Sequence, residues 1–195
     1  MCARFFVDDD VIEKVSEITE SHDDSITDLR NGDIYPSRQA LLITNSRDQL
    51  HAVAMVWGFP NYNGKGLVIN TRSESAIEKT MFRDSILHRR CVIPAKHFYE
   101  WDASKNKITF RRSDEPVLYM AGIYDRFDGR DRFTVLTTAA NRSVSRFHDR
   151  MPVILNRDEL EPWIFENSAF SRLMKKEMPV LEHWQDVEQM SLFDQ

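Results

Sequence analysis

Between residues 40 and 155 the chain is cut into short apolar runs closed off by turn-forming residues, at 40–44, 52–56, 67–70, 91–94, 98–102, 107–111, 117–123, 133–138 and 151–155. A helix that buries one face against a core usually needs about ten residues or more, so runs this short read as strands. Residues 4–7 add another, and Asp128-Gly129 marks a tight turn ahead of the 133–138 run. Helical spacing is confined to the margins. Asp8-Asp9-Asp10 offers an N-cap, with Glu13 three positions after Asp10, ahead of Val11, Val15 and Ile18. Further helices are expected over 74–83 and 140–147 and in the acidic tail, where Pro162 suits a first turn and Pro179 a break. Residues 19–33 read as a loop or a helix end and residues 61–66 as a loop, and no repeat or low-complexity tract interrupts the pattern. The expected fold is α+β: one domain over residues 2–195, with a curled, largely antiparallel, barrel-like sheet core and peripheral helices.

A chain of 195 residues, 42% hydrophobic and 29% charged, can bury a sizeable core. No apolar run approaches the roughly 18 residues of a membrane span, and no secretory leader is apparent at the start. Two cysteines, Cys2 and Cys91, make no disulfide framework, so a reducing cytoplasm is the expected setting, nucleoid-associated in a bacterium. The net charge of −5 is unevenly spread: residues 1–33 hold three basic and ten acidic side chains, net −7, and residues 156–195 hold four and nine, net −5. Residues 34–155 hold nineteen and twelve, net +7, and fourteen of the nineteen are arginines. Guanidinium forks match phosphate oxygens, so a phosphate-binding face is consistent with this middle stretch. A basic surface balanced by acidic flanks accounts for the same numbers.

The start, Met1-Cys2-Ala3-Arg4-Phe5, carries unusual chemistry. A small second residue permits loss of the initiator methionine, which would leave Cys2 with a free α-amine beside its thiol. The amine condenses with an aldehyde to an imine, and the sulfur then closes a five-membered thiazolidine. Both groups ordinarily titrate near neutrality, the amine at about 7.7–8.0 and the thiol at about 8.5. On those values nucleophilic forms of both are expected without much tuning.

Three further segments place reactive side chains in suggestive company. Asn70 and Arg72 end an apolar strand and could hold a substrate oxygen and a phosphate, or cap the helix that follows. Glu100 lies among Phe98, Tyr99 and Trp101, where a desolvated carboxyl would have a raised pKa and could shuttle protons. The plainer reading, a strand carboxylate facing water, is the stronger one from that segment alone. His148 precedes a strand, a place suited to a positioned base or, more commonly, to a capping histidine. Cys2, Cys91, His88 and His97 lack the paired spacing of a closed zinc site, so no metal is expected. Glycine-rich phosphate loops and G-x-S-x-G turns are also missing from the sequence.

These segments occur in an order that resembles the SOS-response-associated peptidase (SRAP) family of abasic-site-processing proteins. The likeness runs from Cys2 to about Trp163, leaving 164–195 as an acidic segment expected to be helical. It is carried by Cys2, by Asn70-Thr71-Arg72-Ser73-Glu74, and by Arg89-Arg90-Cys91 continuing to Phe98-Tyr99-Glu100-Trp101. Leu136-Thr137-Thr138-Ala139-Ala140-Asn141 and His148-Asp149-Arg150-Met151-Pro152-Val153-Ile154-Leu155 complete it. Ala3 stands where the family usually has glycine, Lys96-His97 where it usually has Asp-Gly, and the stretch from Trp57 to Asn70 is short.

The resemblance implies covalent capture of abasic sites in single-stranded DNA, or at single-strand–duplex junctions, without a cofactor; a monomer is the expected state. It implies Cys2 as nucleophile with Asn70, Glu100 and His148 in support. Arg4, Arg72 and Arg150 would contact phosphates, and Pro36 and Trp101 would border the DNA near the lesion. A cysteine peptidase acting in trans and a non-catalytic single-strand-binding module remain alternatives.

Overall fold

The computed structural model describes residues 2–27, 29 and 31–185. The first half of the chain forms β1 (Phe5–Val7), α1 (Asp9–Ser16), β2 (Ser21–His22), β3 (Gly32–Ile34), β4 (Gln39–Ser46), β5 (Gln49–Trp57), β6 (Phe59–Pro60), β7 (Leu67–Val68), β8 (Asn70–Arg72), α2 (Ser73–Ala76) and α3 (Thr80–His88). The second half forms β9 (Arg90–Ala95), β10 (His97–Trp101), β11 (Lys107–Arg111), β12 (Leu118–Phe127), β13 (Arg130–Ala139), β14 (Arg150–Pro152), β15 (Ile154–Leu155), α4 (Leu160–Phe165), α5 (Ala169–Leu173) and β16 (Glu182–Gln185).

Five long strands close into a ring in the order β13-β12-β9-β4-β5 and back to β13. Every step is antiparallel except the last, where β5 runs parallel to β13 with Val56 opposite Arg132 and Trp57 opposite Phe133. Closure removes the exposed edges a sheet of this size would otherwise present. The β12–β13 hairpin turns at Asp128-Gly129, both at positive φ (50° and 76°), which is the backbone a two-residue hairpin turn demands. A second, antiparallel sheet in the order β16-β11-β10-β1-β3 packs beside the barrel. Phe5 of β1 meets Trp57 of the barrel with ring centroids 5.0 Å apart, and both residues are fully buried.

Several local expectations need correction. Of the three aspartates expected to cap α1 it is Asp8 that does so, its carboxylate accepting the Val11 N–H at 3.1 Å. The expected helix over 74–83 is two helices, α2 and α3, the second running on to His88. Residues 142–147 form consecutive turns rather than a helix, because Asn141 turns its side-chain oxygen onto the Ser143 N–H (3.0 Å) and hydroxyl (2.6 Å). The expected strand over 151–155 is broken at Val153. In the acidic segment only Ala169–Leu173 is helical after α4, and the described chain ends in the strand β16, paired with β11. Residues 186–195 of that segment lie outside the described residues.

Candidate active site where the first strand meets the barrel

Cys2 leads directly into β1 and is fully buried. Antiparallel pairing of β1 with β10 brings the Tyr99 N–H onto the Arg4 carbonyl at 3.0 Å, and the Cys2 Sγ lies 3.7 Å from the same carbonyl. Strand alternation then divides β10: Phe98 and Glu100 share one face, while Tyr99 and Trp101 share the other. Glu100 is buried, and its charge is felt at the Cys2 thiol. From the barrel side, β8 runs parallel to β13 with Asn70 opposite Val135. Asn70 donates from Nδ2 to the Cys2 carbonyl at 2.8 Å, and its Oδ1 is buried without a hydrogen-bond partner among the described residues.

His148 enters at the end of the turns that precede β14. Its Nδ1 accepts the Arg150 N–H at 3.0 Å and lies 3.1 Å from an Asp149 carboxylate oxygen. In the neutral ring that bond places the proton on Nε2. His148 also acts electrostatically on Glu100, so Cys2, Asn70, Glu100 and His148 form one cluster drawn from four separate parts of the chain.

Two directions of titration set its chemistry. Burial pushes the Glu100 carboxyl above its ordinary value, and His148 works against that rise. Burial likewise pushes the Cys2 thiol up, and the Glu100 charge pushes it further. The sequence-based expectation of a thiol poised near neutrality is therefore corrected. It took the value of a solvated cysteine, whereas this sulfur is fully buried near a carboxyl group.

Several of the arginines are already engaged. Arg4 is ion-paired with Asp33 and lies between the Tyr35 and Tyr99 rings, 5.0 and 4.7 Å from their centroids. Arg150 makes a two-pronged pair with Glu74 at 2.6 and 2.8 Å and reaches the Thr137 carbonyl at 2.5 Å. Arg89 pairs with Asp84 and Asp125. Arg90 is buried, bonding the Trp163 and Ile86 carbonyls and Asn167. Arg72 is exposed and forms no ion pair among the described residues. It borders a groove of about 890 Å³ lined by Tyr62, Asn70, Lys79, Met81 and Phe82, and Tyr62 is 92% exposed. Pro36 is partly buried in the turn after β3, and Trp101 is exposed at the end of β10. Among the described residues no three His, Cys, Asp or Glu side chains gather as a metal site would need.

Sequence reasoning gave Glu74, Asp33 and Tyr99 no role, yet they hold two of the arginines assigned to phosphates. Glu74 lay inside a recognised motif, which was a usable signal; Asp33 sits in a polar stretch that gave none. Also unforeseen is the bracing of the turns before His148. Asn141 donates to the Met178 and Pro179 carbonyls at 3.0 and 2.8 Å, Ser143 accepts the Leu181 N–H at 3.1 Å, and His183 packs on Phe147 with centroids 5.0 Å apart. The C-terminal segment thus fixes the loop that presents His148.

The SOS response associated peptidase (SRAP) family matches residues 1–191 of this chain. The chain belongs to that family. Abasic site processing protein YoaM of Bacillus subtilis (strain 168) is 32% identical over 145 residues, which is 67% of this chain and 64% of that protein. Abasic site processing protein YedK of Escherichia coli (strain K12) is 28% identical over 139 residues, 67% of this chain and 63% of that protein. The matched stretch thus spans less than two-thirds of these relatives. A crystal structure of a Bacteroides thetaiotaomicron protein superimposes with a TM-score of 0.81 at 22% identity, covering 94% of this chain and 91% of that one. A Bordetella bronchiseptica protein does so with 0.78 at 23% identity, covering 94% and 99%. The SRAP fold accounts for the closed barrel with its added strands and few helices. Among the described residues, no helix is long and apolar enough to cross a membrane.

Proposed function

We propose that this SRAP-family chain captures abasic sites in single-stranded DNA as a covalent thiazolidine through Cys2, once Met1 has been removed. One observation carries the reading. Cys2 is anchored by Asn70 through its carbonyl, and its buried sulfur lies near the Glu100 carboxyl, which burial pushes above its ordinary value.

The steps follow from that arrangement. The α-amine of Cys2 attacks the aldehyde carbon C1′ of the ring-opened sugar, forming the C–N bond. Asn70 fixes the backbone that carries the amine, and its Oδ1 is placed to accept an N–H. The Glu100 carboxyl donates its proton to the departing hydroxyl, so water leaves and an iminium remains beside a carboxylate. His148 moves protons between the amine and the sugar oxygen. The iminium supplies the positive charge that the buried thiol lacked, which lowers the cost of its ionisation. Glu100 takes the sulfur's proton, the S–C1′ bond forms, and the ring nitrogen keeps its hydrogen. Glu100 ends as it began, protonated.

The order is built in: amine first, sulfur second. A saturated ring has no electron sink next to the sugar's acidic carbon, so β-elimination and strand breakage stop. The same elevated thiol weighs against a cysteine peptidase acting in trans, which needs a thiolate before substrate arrives.

The test is intact mass of the purified protein, before and after exposure to an abasic oligonucleotide. The expected result is loss of Met1 followed by an adduct that survives denaturation without a reductant, and no such adduct for Cys2→Ala. A Cys2→Ala adduct of equal stability would remove sulfur from the mechanism.

A further inference from the structure

The two groups that would move protons beside Cys2 belong to different sheets. Glu100 lies on β10 in the second sheet, while His148 follows the turns that join β13 to β14 in the sheet that forms the barrel. Residues 178–185 touch both parts. As β16, residues 182–185 pair with β11, and register puts His183 beside Phe110, which is itself beside Phe98 of β10. Cross-strand partners share a face, so His183, Phe110 and Phe98 lie on the side of the sheet that carries Glu100. The turns before His148 pack on that side: the Phe147 ring meets Phe110 and His183 edge-on, with centroids 5.6 and 5.0 Å apart. Residues 178–181 hold the same turns from their other end. The Asn141 Nδ2 donates to the Met178 and Pro179 carbonyls at 3.0 and 2.8 Å, and its Oδ1 accepts from the Ser143 N–H and hydroxyl. The Ser143 Oγ in turn accepts the Leu181 N–H at 3.1 Å. Within the turns the Asn141 carbonyl accepts the Val144 N–H at 3.1 Å, and the Val144 carbonyl accepts the His148 N–H at 3.1 Å. Two backbone bonds therefore connect Asn141 to His148.

We propose that residues 178–185 are a clasp that fixes His148 against Glu100, with Asn141 as its positioning residue. Asn141 acts through the backbone of the turns and not on the reacting atoms. An amide both donates and accepts, so this one side chain grips residues 178 and 179 with its nitrogen and the turn with its oxygen. Aspartate has the same shape and keeps the acceptor, but it sets an oxygen against two carbonyls. Ser143, Val144, Met178 and Leu181 around the knot are buried, so water is poorly placed to replace bonds that are lost. Glu100 and His148 must reach the same few substrate atoms, and an error of about 1 Å in such an arrangement can cost a hundredfold in rate. Groups borne on separate sheets need a third element to hold that separation. Residues 178–185 meet the need, being bonded to the turns at one end and laddered to the second sheet at the other. The inference rests on the reading of Glu100 and His148 as proton carriers for Cys2.

The test has two readouts on the full chain. In the first, adduct formation on an abasic oligonucleotide is followed on denaturing gels at several oligonucleotide concentrations. Asn141→Asp should lower the maximal rate about tenfold to a hundredfold and leave the half-saturating concentration little changed. Combined with His148→Ala it should add nothing to the loss that His148→Ala causes alone, since both changes remove the same contribution. In the second, NMR follows the ring signals of His148 without DNA. Glu100→Gln should displace those signals in the otherwise unaltered protein, and by less than half as much when Asn141→Asp is also present. Ser143→Ala removes the Leu181 bond but keeps the Asn141 grip on residues 178 and 179, so both readouts should move the same way by less; it also serves if Asn141→Asp does not fold. A further loss of rate on the His148→Ala background, a loss confined to the half-saturating concentration, or an undiminished displacement of the His148 signals would overturn the clasp. If the unaltered protein formed no adduct but the His148 signals behaved as expected, the Cys2 chemistry would fail and the clasp would stand.

Discussion

Replacing Glu74 by alanine separates two roles for Arg150. The Arg150 side chain is only 12% exposed, and Glu74 binds it through two parallel N–H···O bonds of 2.6 and 2.8 Å. Its Nε is buried without a partner among the described residues, so Glu74 supplies the counter-charge. Removing one member of a wholly buried pair costs about 3–5 kcal/mol, whereas exposed pairs contribute about 0.2–1 kcal/mol. The Glu74 carboxylate is 51% exposed, so water screens the pair and replaces part of what is lost. Between those limits Glu74→Ala should destabilise the fold by about 1–2 kcal/mol. Urea unfolding read by tryptophan fluorescence measures it, as a lower midpoint at unchanged slope. The pH dependence has a definite sign. The Arg150 hydrogen bond holds the Glu74 carboxyl below its ordinary value of 4.5, so its stabilisation is full above that pH and is lost as pH falls through the depressed value. The two proteins should therefore converge in acid. If Arg150 contacts DNA phosphate, the freed guanidinium should also tighten single-strand binding and steepen its salt dependence. A loss under about 0.5 kcal/mol at neutral pH, or a gap that widens in acid, would refute the reasoning.

Two further outcomes are expected. Glu100→Gln removes the proton donor and should slow adduct formation on the order of a hundredfold, with affinity for intact single strands little changed, as quench-time gels and fluorescence polarisation would report. Because burial raises the Glu100 carboxyl, the folded state holds that proton above pH 4.5, and the unaltered protein loses stability as pH climbs from there through the raised value. Glu100→Gln should escape that loss, and a parallel pH profile for the two proteins would show Glu100 to be solvated. Gly122→Ala tests the barrel: a methyl there would lie 2.4 Å from Ile93 Cδ1, 3.0 Å from the Thr134 carbonyl and 3.1 Å from the Cys91 sulfur. Ile93 can swing away but the carbonyl cannot, so a cost of about 1–3 kcal/mol is expected in thermal or urea unfolding.

Strand content was legible because each strand buries its own apolar residues; 107–111 matched in full, and others differed by a residue or more at their ends. Misreadings cluster where side chains compete with the backbone. Asn141 is the clearest, since its side chain binds Ser143 and two carbonyls nearly forty residues away, and no local pattern announces that. The edge strand β16 was missed for a related reason: Glu182, His183, Trp184 and Gln185 show no apolar alternation, and the ladder to β11 alone makes them a strand.

The sequence by itself determined which chemistry is available: a cysteine behind the first methionine, a carboxyl among aromatic residues, and the ordered segments by which the SRAP family is known. It also determined a core made of short strands. Only the tertiary structure decided the electrostatics. Whether Glu100 faced water or protein depended on which face of β10 the barrel covered, and burial pushed a thiol expected to titrate near neutrality well above its ordinary value. Likewise, counting arginines showed a basic middle, but only packing revealed that Arg4, Arg89, Arg90 and Arg150 already hold protein partners. Pattern is a property of neighbours along the chain, and it survives unfolding. A pKa and a free charge are properties of neighbours in space, and they come into being when the sheet closes.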